Sequence, residues 1–136
     1  MTKTPFEIET FSTKSAVALH DYMEPLLADH EFQPDVATAN AMITMLSQYD
    51  HYHLVYALLV SFRVVPERIV PLLPQYLTHT EASVCATAIN LLDNAPAHLL
   101  TDVLIDRIRQ LRVVREDLRF LADVLARLED RRRGRT

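Results

Sequence analysis

Glycine is almost missing from this chain: Gly134 is the only one in 136 residues. Tight β-hairpin turns and phosphate-cradling loops both draw on glycine, so hairpins and a P-loop are disfavoured. Helices joined by Pro, Asn and Asp turns need far less of it, and the fold class predicted is all-α. Cysteine is as scarce. With Cys85 alone no intramolecular disulfide can form, which excludes a disulfide-built secreted scaffold. Its setting, VCATAINLL, reads as a small packing residue rather than a reactive thiol. Long apolar runs are absent too. The longest, Leu54 to Phe62, is too short to span a bilayer, and MTKTPFEIET has no apolar core for a signal peptide. The expectation is a cytoplasmic protein without a membrane partner.

What is present is enough apolar sequence, 49% of residues against 24% charged, to build one substantial core. The prediction is a single domain over 1–130 with a disordered basic tail, 131–136, closing the charged run EDRRRGRT that contains the one glycine. The net charge of −4 is unevenly spread. Residues 1–62 hold eight acids against Lys3 and Lys14, a balance of −6; residues 63–136 hold twelve arginines against ten acids, a balance of +2. Such polarity can steer a charged partner or favour head-to-tail contact between copies, and solvated helix faces account for it equally well.

Apolar spacing and turn residues mark about six to seven helices. A first helix, capped by Ser12 or Thr13, is interrupted near Glu24-Pro25. Pro34 or Asp35 opens a second. Asp50 caps a third that is apolar nearly all round and therefore central. Pro66 starts a fourth, kinked or partly 3-10 because Pro71 and Pro74, taken to point outward, each remove a helix hydrogen bond. Thr80 caps a fifth, and Pro96 restarts a sixth that runs to about Leu111. The spacing Val114, Leu118, Leu121, Leu125, Leu128 then forms an amphipathic seam, either as a separate helix or as a continuation of the sixth. An exposed seam there offers a surface for homodimerisation.

Two stretches repeat one pattern. DHYHLVYALLVSFRVVPERIVPLLPQYL aligns with TEASVCATAINLLDNAPAHLLTDVLIDRIRQL, Ala57 on Ala88 and Pro66 on Pro96, at a spacing of 30–31 residues. Residues 83–100, SVCATAINLLDNAPAHLL, resemble the alanine-rich first helix and proline-led second helix of HEAT-type helical repeats. The chain lacks the glycine often found late in that first helix, and the turn between 62 and 66 lacks an acid. The resemblance implies a right-handed stack of antiparallel helix pairs, a HEAT-like α-solenoid. It also implies a scaffold that binds another protein; small bacterial members include immunity proteins that neutralise toxins.

Motifs for chemistry are sparse. In Asp50-His51-Tyr52-His53 the two histidines lie i, i+2, about 200° apart on a helix, whereas one metal needs i, i+4. Capping by Asp50 is the plainer reading. His20, His30, His79 and His98 are scattered, and no serine has a G-x-S-x-G setting. Neither catalysis nor a cofactor is expected. Arg107, Arg109, Arg112, Arg115 and Arg119, with RRRGR at the end, suggest nucleic-acid binding as the alternative function. Interspersed acids at i, i+3 and i, i+4 favour surface ion pairs instead.

The candidate partner-binding residues come from the second helix of each repeat copy, which in HEAT-type stacks lines the concave face. They are Glu67, Arg68 and Gln75 from the first copy and His98, Asp102, Ile105 and Arg109 from the second. With Leu100, Val103, Leu104 and Leu111 taken as inward, Ile105 falls outward and Arg107 near the apolar side. An outward Ile105 ringed by polar residues is either a binding hot spot or a residue packed on a neighbouring helix. The partner this favours is another protein, a toxin or effector, met by the acidic N-terminal half.

Overall fold

The computed structural model describes residues 6–134. Among them are eight α-helices, three short 3-10 segments and no strand, so the all-α class holds. The helices are α1 (Ile8–Thr13), α2 (Ala16–Ala28), α3 (Val36–Thr44), α4 (His51–Val64), α5 (Pro66–Ile69), α6 (Ala82–Asp93), α7 (Asp102–Val114) and α8 (Phe120–Arg132). The 3-10 segments are Leu46–Gln48, Val70–Tyr76 and Ala97–Leu99. Where length suggests one domain, the contacts divide the chain into two compact units, one ending at Pro66 and the other beginning at Glu67.

In the first unit α4 is the centre, packed against both α2 and α3. It lacks a polar face and buries Leu54, Ala57, Leu58, Val60 and Ser61, as its all-round apolar pattern predicts. The Ser61 hydroxyl makes no hydrogen bond. Asp50 is the N-cap, its carboxylate accepting from the His53 backbone N–H at 2.9 Å. Asp35 does the same for α3, accepting from Thr38 N–H at 2.7 Å. The first helices differ from expectation. Ser12 and Thr13 close the short α1, and it is Ser15 that caps α2 by accepting from Ala18 N–H. Pro25 does not interrupt α2, which continues to Ala28; only the last turn loses a bond to the missing N–H. The loop after α2 is held by Arg63, which donates to the carbonyls of Leu27, Asp29 and Phe32 at 2.8, 3.0 and 3.1 Å.

In the second unit α6 packs on the 3-10 segment Val70–Tyr76 and on α8, and α7 packs on the same two elements. The proline-rich segment is 3-10, as its prolines require, but Pro74 is buried rather than outward. α6 begins without a side-chain cap, Glu81 rather than Thr80 occupying that position. After Pro96 the chain makes one 3-10 turn and breaks at Leu100-Thr101. Thr101 then caps α7, accepting from Leu104 N–H at 3.2 Å. Residues 115–119 separate α7 from α8, so these are two helices.

That break also splits the C-terminal seam. Leu121, Leu125 and Leu128 are buried within the unit, whereas Val114 belongs to α7 and is exposed. α8 runs on through Arg131 and Arg132, positions expected in a disordered tail. The cause is local: Arg131 donates to the carbonyls of Leu92 and Ala95 at the end of α6, and Arg127 forms a two-point pair with Asp93. Arg135 and Thr136 lie outside the described residues, as do Met1–Pro5.

Candidate functional site

α7 buries Leu104, Ile105 and Ile108. Ile108 decides the register. Leu104, Ile108 and Leu111 follow i, i+4, i+7, and at about 100° per residue Ile105 lies only about 60° from Ile108 while Val103 lies about 140° from it. Ile105 is accordingly 0% exposed and Val103 65%. The outward hot spot expected at Ile105 is therefore incorrect, as is an inward Val103. An apolar outer face exists nonetheless, made by other residues: Val113 and Val114 are 72% and 77% exposed. With Val103 they follow i, i+10, i+11, which is one solvent-facing stripe interrupted by Asp106 and Gln110.

Each flank of this ridge borders a depression. On one side a groove of about 360 Å³ is lined by Pro71, Leu72, Pro74 and Gln75 and by Arg107, Gln110, Leu111 and Val114 of α7. Arg107 is exposed rather than turned inward and donates across the groove to the Pro71 carbonyl at 3.2 Å. On the other side a cleft of about 870 Å³ lies between α7 and α8, with Arg109, Arg112 and Val113 on one wall and Ala122, Ala126 and Glu129 on the other.

The seven candidate residues are not gathered into one surface. Gln75 belongs to the first groove and Arg109 to the second depression. Glu67 and Arg68 are exposed on α5 and His98 on its 3-10 turn. Asp102, exposed at the start of α7, is ion-paired with Arg132. Arg109 lies between Asp106 at 3.0 Å and Glu129 at 3.3 Å. The residues that sequence reasoning missed are Val103, Val113 and Val114. The usable signal was Ile108, which fixes the helix register and with it the outer face.

The remaining chemistry-bearing side chains have structural surroundings. His53 is buried; its Nδ1 lies 2.9 Å from both Asp50 carboxylate oxygens and its Nε2 3.1 Å from the Phe11 carbonyl. Burial pushes the Asp50 carboxyl up, but the His53 backbone N–H and ring outweigh it and hold it below the usual carboxylate range. His20 Nδ1 lies 3.1 Å from the Tyr56 hydroxyl, which donates to Glu24 at 3.3 Å. Burial, then the Glu24 charge, push that phenol up. The Cys85 sulfur lies 3.2 Å from the Leu77 carbonyl, and burial pushes its thiol up, the reverse of an activated nucleophile. Among the described residues no group of three or more His, Cys, Asp or Glu side chains could hold a metal ion, and no helix is long and apolar enough to cross a membrane. Compared with models of known families, with curated proteins and with solved structures, the chain matches none.

Proposed function

We propose that this chain is a non-catalytic protein-binding module whose docking surface is the outer face of α7. The observation that carries the reading is the stripe of three valines, 65–77% exposed, of which Val113 borders one depression and Val114 the other. Branched apolar side chains left in water and rimmed by polar ones are what a partner covers. Full burial of a valine contributes about 1.5 kcal/mol or more before association costs are met. The HEAT-like arrangement remains part of the proposal, supported by the repeat of helix, proline and broken second arm in the order of elements. An immunity-type role, in which the partner is a toxin, is the narrower form of the same reading, supported by that resemblance and by the acidic N-terminal half.

Serine has nearly the helix propensity of valine, so a Val103→Ser/Val113→Ser/Val114→Ser variant should keep its fold while losing its partner. Affinity capture from native lysate, compared between the wild type and this variant by quantitative mass spectrometry, is the test. Proteins captured equally by both, with none depleted from the variant, would sink the proposal. Co-expression with a neighbouring toxin gene tests the immunity form through rescue of growth. The alternative, a nucleic-acid regulator using the arginines, is disfavoured because seven of them are engaged: Arg107, Arg109, Arg115, Arg127, Arg131, Arg132 and Arg133 all have partners within the chain. Salt-sensitive filter retention of an oligonucleotide would favour it again.

A further inference from the structure

Arg112 and Arg119 stand apart from those engaged arginines. Neither guanidinium has a hydrogen-bond or ion-pair partner among the described residues, and both residues line the α7–α8 cleft. The opposite end of that cleft is neutralised internally. There Arg109 and Arg133 share Glu129, at 3.3 and 3.5 Å, and Arg133 lies 4.0 Å from Asp130. At the Arg112–Arg119 end two arginines stand against Glu116 alone, so the cleft's surplus of one positive charge lies there, beside Val113, Ala122 and Ala126. The alanines are i, i+4 on α8 and half-buried or exposed, so they leave room for a backbone to approach.

We propose that this cleft receives an acidic amphipathic helix of a partner protein, its apolar face on Val113, Ala122 and Ala126 and its carboxylates on Arg112 and Arg119. The inference rests on the protein-binding reading above and names the partner's chemistry. A trough between two packed helices suits a third helix, and two guanidiniums give carboxylates charge-assisted hydrogen bonds. A nucleic acid fits less well. No aromatic side chain lines the cleft to stack a base.

The test is a random-peptide library displayed on phage and selected against the full chain. Selected sequences are expected to carry Asp or Glu at i, i+3 or i, i+4 with apolar residues on the opposite side. A synthetic peptide of the selected sequence should bind at least about tenfold more weakly to Arg112→Gln/Arg119→Gln, and more weakly in high salt. Both arginines are exposed, so the variant's thermal melt should match the wild type and separate lost recognition from lost fold. Neutral or basic selected peptides, or equal affinity for the variant, overturn the proposal. If binding is instead lost in Val103→Ser/Val114→Ser but not in the arginine variant, the acidic partner falls while the protein-binding reading stands. No enrichment, accompanied by oligonucleotide binding that needs the two arginines, defeats both. Concentration-dependent dimerisation abolished by the arginine variant assigns the cleft to a second copy and overturns the proposal too.

Discussion

His53 is held at both ends of its ring, by Asp50 of its own helix and by the Phe11 carbonyl of α1. Asp50 therefore does two things, capping α4 and fixing the residue that fastens α1 to it. Because its folded-state carboxyl lies below the ordinary value of 3.8, its contribution is present above that value and is lost as pH falls through the lower, folded one. Urea midpoints of the wild type should fall more steeply below about pH 4 than those of Asp50→Asn; parallel curves would remove the Asp50–His53 pair from the acid limb. The same comparison cancels Asp35 and Asp117, which are also held low. At neutral pH, Asp50→Ala should cost about 1–2 kcal/mol through the cap alone. A second pair of variants checks the register of α7. Ile105→Ala should destabilise the fold by about 2–5 kcal/mol, whereas Val103→Ala should stay within about 0.5 kcal/mol, both read by urea denaturation.

Helices announced by a side chain that does one local job were legible in the sequence. Asp35 and Asp50 cap at the starts of their helices, Pro66 opens α5, and Pro71 and Pro74 fall in the 3-10 segment that missing N–H groups favour. Elements that depend on distant partners were not. The pattern Leu100, Val103, Leu104, Leu111 omits Ile108 and so sets α7 one face out of register, which turns Ile105 outward and Val103 inward, the reverse of their burial. α8 continues into the apparent tail because Arg127 and Arg131 reach α6, thirty-odd residues away in sequence; composition carries no sign of that. The consequence is measurable. Arg131 donates to the Leu92 carbonyl, which also accepts from the Ala95 N–H, and to the Ala95 carbonyl just past the end of α6. Arg131→Met, which keeps much of the apolar stem, should cost about 1–3 kcal/mol, and deletion of 131–136 at least as much. A calorimetric melt unchanged by either would mean that the helix end is frayed in solution.

Each of the two units has its own core: Phe11, Leu19, Met23, Met42 and Leu58 in the first, and Ile69, Leu73, Leu77, Leu92, Ile105 and Ile108 in the second. Chains of that length bury only about 60% of their unfolded surface, which is enough for a marginal domain and seldom for more. The valine stripe, both of its flanking depressions and the unpaired arginines all belong to the second unit. If the docking surface is built as proposed, residues 67–136 alone should be helical by circular dichroism, melt cooperatively, and bind the selected acidic peptide within about twofold of the full chain. Residues 1–66 alone should not bind it. Two results would count against this arrangement in different ways. A helical 67–136 fragment that fails to bind would require a contribution to the surface from outside the second unit. A fragment that does not fold would show that its core is insufficient by itself, and the binding comparison would then pass to the full chain with the α7 valines and the two arginines substituted in turn.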